Sequence, residues 1–504
     1  MSGKTIWLFL TLLFAHTAYS SSERPHSSMI TVLLAHHGKA PYLHGAPAHE
    51  VSTINEAVLG QLLMIDENLG IKPNLLEQAF FDYNKKAYVL VLREKLKFHN
   101  GRYATAKDLE FSLVRGFFSE KRSFYNTYIG NIEGIENAVG KKYASGLIDG
   151  VKITGPYHVE VKLKNPNPSF LHSLSNPYFS LVPQEEIDET LLGWKRFPVG
   201  VGPYKIKEPG FKDGLLTLER LGNEKEIPHE IKVFTTNLEK KYDLSLLDEN
   251  HVTSPKAFFP ELPGSVTALF FSRLNPLGAN IHFRRATSYL IDRESILSKV
   301  AGASATDQIL PRHFWGRSAS LSEKNLEKAR HEISLVPKEL REKEWTFLVF
   351  GGVNASKNSV HISKEIERQL GEIGIRVKAK DSNDKFLTKA QAEDNIFELT
   401  GRVTDYIDPL IMFASFRRNG HAPYLSPEND VHFEKLYEKA SLEQLREERV
   451  ETIRSISDYV KDNVICLPLL ERRAAIYFNT QKIKSLGQQM HGFSVTLQNI
   501  KTHE

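Results

Sequence analysis

Two adjacent histidines, His36 and His37, are the first residues of the chain whose types could do chemistry at close spacing. They follow the apolar run Thr31–Ala35, which is typical of a buried strand. Imidazoles at a strand end could bind a transition metal or contact a ligand, because strand ends line clefts in α/β proteins. Neighbouring strand residues point to opposite faces, however, so the pair is a poor chelate. The sequence predicts no metal site, and both histidines remain weak candidates for ligand contact.

The sequence contains residue pairs that resemble catalytic motifs, but their spacing does not match those motifs. His-Glu pairs begin at His49, His229 and His331, but none has the second histidine four residues later that a zinc protease needs. The stretch from Gly134 to Gly140 has five residues between its glycines, where a phosphate-binding loop has four. No G-x-S-x-G nucleophile elbow occurs in the sequence. We therefore predict a protein that is not an enzyme and needs no cofactor.

The single cysteine, Cys466, lies in the apolar run Val464–Pro468. One cysteine allows no internal disulfide, and a free cysteine in such a run usually behaves as a small buried hydrophobe. A catalytic thiol would need a histidine and an electropositive setting. We expect Cys466 to be buried and unreactive.

Length and charge narrow the class of protein further. The chain has 504 residues, which is beyond the size at which one hydrophobic core keeps growing, so several cores are expected. Lys and Arg number 65 against 61 Asp and Glu, a net charge of +4. This balance is too even for a protein that neutralises many phosphates, so nucleic acid is not a predicted partner.

The first twenty residues differ from the rest. Lys4 precedes the apolar run Ile6–Ala15, and Ala18-Tyr19-Ser20 fits a small-x-small cleavage site. Ten apolar residues are too few to span a bilayer as a helix. Residues 1–20 are therefore predicted to be a cleaved signal peptide. No cysteine follows that could carry a lipid, and the expected compartment is the periplasm.

Strand and helix patterns alternate along the remaining chain. Ala87–Leu92 predicts a covered strand, and Thr105 with Asp108 forms the capping-box pattern that starts a helix. Residues 362–380 predict a helix and then a strand. This alternation indicates an α/β fold with largely parallel sheets flanked by helices.

The stretch Leu92–Leu113 closely resembles the characteristic segment of the extracellular solute-binding proteins of family 5, which includes periplasmic dipeptide- and oligopeptide-binding proteins. Further segments resemble the family in the same order, and they are Val199–Ile206, Arg284–Ile296, Glu367–Ile375 and Asp405–Pro409. The resemblance implies a periplasmic-binding-protein type II-like α/β fold, with two lobes joined by a hinge. It places lobe I at residues 23–262 with a subdomain inserted at about 50–190, lobe II at 263–474, and a return to lobe I at 475–504.

The resemblance also implies site residues. In peptide-binding members, the acidic residue that opens the segment Asp405–Pro409 pairs with the ligand's amino group, so Asp405 is the main candidate. Either Asp405 or Asp408 could instead cap a helix that starts near Pro409, and the cap role is predicted for Asp408. Arg402 is a weak candidate for binding a carboxylate.

Function follows from the same resemblance. It implies a monomeric receptor that binds a peptide between its lobes and delivers it to an ABC permease in the inner membrane. Three departures from the family pattern lie partly near the cleft, at Glu398–Gly401, Phe271–Arg273 and Leu221–Glu224. Transport is therefore better supported than the identity of the guest. A nickel chelate, haem or an oligosaccharide is the alternative ligand, and a sensor or scaffold with the same fold is the alternative role.

Overall fold

A computed structural model describes most of the chain. The described residues are 28–34, 49–66, 70–120, 125, 129–165, 167–222, 224–236, 239–247, 249–318, 324–350, 352–353, 357–382, 388–403, 407–417, 424, 430–489 and 494–503. The predicted signal peptide lies outside these ranges. Within them, none of the helices is both long enough and apolar enough to cross a membrane.

Strands and helices alternate through these ranges, and each has the following bounds. The strands are β1 Met29–Leu33, β2 Leu63–Ile65, β3 Ile71–Pro73, β4 Leu76–Asp82, β5 Ala87–Leu92, β6 Val151–Gly155, β7 His158–Val161, β8 Tyr204–Ile206, β9 Leu215–Arg220, β10 Glu230–Phe234, β11 Leu244–Ser245, β12 Pro255–Phe258, β13 Ser265–Phe271, β14 Ala303–Ala305, β15 Glu344–Phe350, β16 Arg376–Ser382, β17 Asn395–Val403, β18 Cys466–Arg472, β19 Ile476–Asn479, β20 Ile483–Ser485 and β21 Lys501–Thr502. The α-helices are α1 His49–Leu59, α2 Ala106–Val114, α3 Phe170–Ser173, α4 Ile281–Leu290, α5 Arg293–Leu297, α6 Leu326–Ser334, α7 Lys338–Glu342, α8 Lys357–Gly371, α9 Lys389–Asp394, α10 Val431–Leu442 and α11 Arg446–Asp462.

Two large sheets contain most of the strands. The seven-stranded sheet has the order β12-β19-β11-β1-β10-β9-β8, and the six-stranded sheet has the order β14-β18-β13-β17-β15-β16. Among the described strands, the parallel pairs of the first sheet are β1–β10 and β1–β11, and those of the second are β15–β16 and β15–β17. The prediction of largely parallel sheets is therefore wrong. The sheets are mixed, because β13, β18 and β19, at the passages between the sheets, pair antiparallel, and so does β9 with both β8 and β10.

A separate four-stranded sheet, β4-β5-β7-β6, is antiparallel throughout and is covered by α2. The predicted strand at Ala87–Leu92 is confirmed. So is the predicted start of α2, since Asp108 accepts a hydrogen bond from the Thr105 backbone N–H over 2.9 Å. This carboxylate also accepts two hydrogen bonds from Arg102, which fixes the turn before the helix.

Hydrophobic cores lie against each sheet. Leu90, Val159 and Phe170 belong to the core of the four-stranded sheet, and Val32 belongs to that of the seven-stranded sheet. The six-stranded sheet is covered on both faces, as strand β13 shows, because every one of its residues is buried. Its side chains alternate between two clusters. Leu269 and Phe271 pack in one cluster, whereas Val266, Ala268 and Phe270 pack in the other, which we call the outer core.

The four-stranded sheet is joined to the seven-stranded sheet through the family-like segment after β5. The His99 backbone N–H donates to the Gly200 carbonyl, and the His99 ring lies 2.9 Å from the Gly202 carbonyl. Gly202 packs so closely on α1 that a Cβ there would lie 2.3 Å from the Ala57 carbonyl oxygen. Gly202, in the family-like segment Val199–Ile206, is thus required by close backbone packing.

The described chain passes between the two large sheets twice. It leaves the seven-stranded sheet after Phe258 and enters the six-stranded sheet at Ser265, and it returns between Arg472 and Ile476. The two passages lie side by side, since the Gly264 N–H donates to the Arg472 carbonyl over 2.9 Å. The predicted order of fold elements agrees with this path, and the predicted domain boundaries stay predictions.

Candidate functional site

The edge of the six-stranded sheet at the end of β17 is the candidate site. Strands β15, β16 and β17 run parallel, so their carboxyl ends meet at this edge. In open α/β sheets, ligands bind outside the carboxyl ends of strands. The acidic segment starts two residues after Val403, the last residue of β17. Asp405 lies outside the described residues, as do His36 and His37, so their ligand roles stay predictions.

Asp408, the second aspartate of the segment, is buried and fully engaged. Its Oδ1 accepts a hydrogen bond from the Leu410 backbone N–H over 2.9 Å and so caps the 3₁₀ helix Pro409–Phe416. The predicted capping role is confirmed. Asp408 also forms a two-point ion pair with Arg449, with Nη1 at 2.7 Å from Oδ2 and Nη2 at 3.0 Å from Oδ1. Only 5% of the Arg449 side chain and 3% of the Asp408 side chain are exposed.

Arg449 also contacts α10 and the ring of Trp315. Its Nε donates to the Ala440 carbonyl over 2.7 Å, and its guanidinium lies 5.3 Å from the centre of the Trp315 ring. A buried charge is tolerated when its partner and its other hydrogen bonds are in place, and both conditions hold here. The end of the acidic segment is therefore held firmly against α11.

Ser169, from a distant part of the chain, completes this group. Its hydroxyl donates to Asp408 Oδ2 over 2.7 Å and lies 3.0 Å from Arg449 Nη2. It precedes α3, whose first residue, Phe170, packs in the core of the four-stranded sheet. We call Ser169, Asp408 and Arg449 the polar triad. It joins the four-stranded sheet to the outer core of the six-stranded sheet.

His172 lies close to the polar triad on α3. Burial lowers the pKa of its imidazole, and the nearby Asp408 carboxylate partly opposes that shift. The buried ring is thus favoured in its neutral form, which adds no second cation beside Arg449.

Arg402 projects from β17 onto the outer-core face of the sheet. Its guanidinium lies 4.4 Å from the centre of the Phe270 ring, and its Nε has no hydrogen-bond partner among the described residues. Burial lowers the pKa of Arg402, and Glu398 opposes this shift. Burial also raises the pKa of Glu398. One face of the guanidinium is therefore occupied by an aromatic ring, and a role in ligand binding stays a prediction.

Cys466 is buried beneath these groups, as predicted. Burial raises the pKa of its thiol to about 12, although Arg402 and Arg273 both act to lower it. Such a thiol carries almost no thiolate at neutral pH, so it lacks the nucleophile that thiol chemistry requires. Within the described ranges, no group of three or more His, Cys, Asp and Glu side chains is arranged to hold a metal ion.

Other family-like residues have structural roles. The sequence pattern from Phe283 to about Val300 predicts a helix with Asp292 as a cap where it restarts. Asp292 does cap α5, since it accepts a hydrogen bond from the Ser295 backbone N–H. Arg293, the next residue, donates from Nε to the carbonyls of Thr306 and Pro468. These contacts tie the helix to β18 and to the residue that follows β14, and they account for Asp292 and Arg293 without a ligand.

Sequence reasoning missed Ser169 and Arg449. One signal for Arg449 was present, because it occupies the same helical face as the buried residues Thr452, Ile453 and Ile456. An arginine at a core position indicates a buried partner. Ser169 lies in the loop-rich stretch near Asn167 and carries no comparable signal.

The matching family model describes bacterial extracellular solute-binding proteins of family 5, and it covers residues 70–221 and 230–424. The chain belongs to this family. Among curated proteins, it is 22% identical over 423 residues to the peptide transport periplasmic protein SapA of Haemophilus influenzae, covering 71% of this chain and 72% of SapA. The family makes the chain a solute-binding protein of the kind that serves ABC import, and its relatives are binding proteins rather than enzymes.

Solved structures show the same fold. The murein tripeptide binding protein MppA of Escherichia coli superposes with a TM-score of 0.76 at 16% identity, covering 95% of this chain and 99% of MppA. NikZ of Campylobacter jejuni, solved with Ni(L-His), gives a TM-score of 0.74 at 18% identity, covering 94% of this chain and 99% of NikZ. The predicted α/β fold of the periplasmic-binding-protein type is thereby confirmed. Proteins with this fold take chemically different guests.

Proposed function

We propose that this protein binds a short peptide and delivers it to an ABC permease. The observation that carries the proposal is the acidic segment 405–408, which follows the carboxyl end of β17 and is held at Asp408 by a buried ion pair. The name of SapA refers to peptide transport, and MppA binds a tripeptide, which supports the same ligand class. The resemblance to peptide-binding family members implies that the acidic residue that opens this segment, Asp405, pairs with the guest.

The proposed contact is between the Asp405 carboxylate and the amino group of the peptide. A carboxylate facing an ammonium ion in a site shielded from water makes a strong charge-assisted hydrogen bond. Arg402, three residues earlier, is the proposed partner for a carboxylate of the guest. The peptide backbone would supply most of the remaining affinity, as in other extended peptide complexes.

Closure around the guest is part of the proposal. The two side-by-side passages near Gly264 and Arg472 would act as the hinge between lobe I, residues 23–262 and 475–504, and lobe II, residues 263–474. A guest that touches both lobes stabilises the closed arrangement by its differential affinity for it. We propose that the receptor is exported by its signal peptide, acts in the periplasm as a monomer, and has no chemistry of its own.

Mass spectrometry of guests that remain bound through purification tests the ligand class directly. A parallel thermal-shift screen would compare tripeptides, nickel-histidine, haem and oligosaccharides. A cognate guest at 100 times its Kd stabilises the folded protein by about 2.7 kcal/mol. Peptides in the spectrum and a shift with tripeptides support the proposal. Stabilisation by nickel-histidine, haem or a sugar alone would overturn it.

The role of Asp405 has its own test. Wild type, Asp405→Asn and the control Asp462→Asn, at an exposed position, would be titrated with trialanine and with N-acetyl-trialanine. A hydrogen bond to a charged group contributes about 1.5–3 kcal/mol. We therefore expect Asp405→Asn to lose about 10- to 100-fold in affinity for trialanine, and the control to lose none. Equal binding of the free and acetylated peptides by wild type would contradict the amine contact.

A further inference from the structure

The polar triad joins segments that lie far apart in the sequence. Ser169 is 239 residues from Asp408 and 280 from Arg449. Phe170, next to Ser169, packs in the core of the four-stranded sheet, while Ile453, one helical turn from Arg449, packs in the outer core. Ile411, in the 3₁₀ helix capped by Asp408, contacts both cores. The triad therefore sits at a direct contact between two of the cores.

The three side chains are not equivalent. Asp408 and Arg449 satisfy each other with two hydrogen bonds, and each has a backbone partner of its own in the same part of the fold. This pair would remain complete if Ser169 moved away, because water could replace one hydroxyl. The Ser169 contact can thus form and break without leaving a buried charge unpaired, which is the condition for a reversible contact.

The two sides of this contact belong to different parts of the fold, which the passages at Gly264 and Arg472 connect. Ser169 belongs to a part of the chain that is fastened to the seven-stranded sheet through His99 and Gly202. Asp408 and Arg449 belong to the part that lies between the passages at Gly264 and Arg472. A rotation about these passages would separate Ser169 from Asp408 and would leave the ion pair intact.

We propose that Ser169 and the Asp408–Arg449 pair form a clasp that favours the closed arrangement and sets the position of the ligand-binding segment. This inference rests on the proposed function. Asp408 lies three residues after Asp405, so its anchoring limits where the Asp405 carboxylate can be. Arg449 is accordingly a positioning residue that acts through Asp408. Because coupling is reciprocal, a guest that favours closure strengthens the clasp, and the clasp raises the affinity for that guest.

A clasp of this kind changes the affinity for the guest by changing the fraction of molecules that are closed. The apparent Kd rises as the closed, binding-competent fraction falls. One buried hydrogen bond to a charged group, partly replaced by water on opening, corresponds to about a five-fold change in the ratio of closed to open molecules. Removing the Ser169 hydroxyl should therefore weaken binding by up to about five-fold, and the full factor applies when the open arrangement predominates without a guest. The loss should appear chiefly as faster dissociation.

Single-molecule energy transfer tests the clasp without a guest. Dyes on Glu77→Cys in β4 and Glu339→Cys in α7, both exposed positions, would report the distance between the two parts of the fold, while the buried native Cys466 stays unlabelled. Ser169→Ala would be compared with wild type and Ser169→Thr. The matched control is Ser175→Ala, which removes a hydroxyl that donates to the His172 carbonyl in the same stretch.

We expect Ser169→Ala to lower the ratio of closed to open molecules about five-fold. Ser169→Thr should restore it, and Ser175→Ala should leave it unchanged. A ratio for Ser169→Ala equal to that of Ser175→Ala overturns the clasp.

A second series with trialanine separates the two proposals. If the ratio changes as expected but no variant binds trialanine or any other tripeptide, the clasp stands and the peptide proposal fails. If tripeptides bind and the ratio does not change, the clasp alone fails.

Discussion

The guanidinium of Arg449 and the carboxylate of Asp408 meet through two hydrogen bonds in a setting where almost none of either side chain is exposed. A pair in this position adds little net stability over a well-packed apolar pair, because removing two charges from water costs about as much as their attraction returns. Its effect is on geometry. The pair fixes where the 3₁₀ helix Pro409–Phe416 begins, and so it fixes the carboxyl-terminal end of the acidic segment at Asp408.

Breaking this pair is expected to be costly. Arg449→Ala leaves Asp408 buried without its cation, and such a loss typically lowers the free energy of unfolding by about 3–5 kcal/mol. Arg454→Ala is the matched control, since Arg454 lies on the same helix and pairs with Glu451 at the surface. Surface pairs contribute about 0–1 kcal/mol. Urea unfolding followed by circular dichroism measures both variants, and equal losses would show that the buried pair is no more important than the exposed one.

Local sequence signals predicted much of the fold around this site. The strand at Ala87–Leu92 and the caps Thr105 and Asp292 follow from side-chain patterns within a few residues, and all are confirmed. Asp408 was predicted as a cap for the same reason. Such features depend on neighbouring residues, so one sequence contains the information needed to predict them.

The features that sequence reasoning missed depend on long-range pairing. Strand β13 pairs with β18 about 200 residues later, and nothing within either strand states its direction relative to the other. The prediction of parallel sheets failed at such pairs. Arg449 occupies a core position of its helix, which shows that a partner is needed but does not identify Asp408. Ser169 joins the triad only through tertiary packing.

Close packing at Gly202 should make a small substitution harmful. Gly202→Ala would place a Cβ 2.3 Å from a backbone oxygen of α1, which would force the segment before β8 away from the helix. Overpacking of this kind typically lowers the free energy of unfolding by about 1–3 kcal/mol. Gly371→Ala is the control, because a Cβ at this helical glycine meets nothing within 4 Å. We expect Gly371→Ala to be neutral or to stabilise by up to about 1 kcal/mol. Chemical denaturation would contradict this account if both variants unfolded alike.

The titration of Glu56 on α1 should make the free energy of unfolding depend on pH. Burial raises the pKa of its carboxyl to about 7, against a hydrogen bond from Thr496 that lowers it. Between pH 4.5 and 7 the folded protein therefore binds more protons at this residue than the unfolded chain, so its contribution to stability falls as pH rises.

Replacing this carboxyl with an amide removes the charged form. Glu56→Gln should raise the free energy of unfolding relative to wild type at pH 8, by at most about 3 kcal/mol, and this gain should shrink to less than about 1 kcal/mol at pH 5. Glu339→Gln, at an exposed position, controls for the loss of one negative charge. Denaturation curves at pH 5, 6, 7 and 8 measure the difference. A gain that is the same at every pH would contradict the burial of an ionisable group at Glu56.

Cys466 should be a reporter of unfolding rather than a reactive site. Burial raises the pKa of its thiol to about 12, so a disulfide reagent at pH 8 meets neither an accessible sulfur nor a thiolate. We expect native protein to react far more slowly than the same protein in guanidinium chloride. The Glu339→Cys variant supplies an exposed thiol on the same folded chain and should release one equivalent of the chromophore at once. Rapid labelling of native wild type would show that strand β18 opens readily. It would also mean that dyes attach to Cys466 in the variants made for energy transfer.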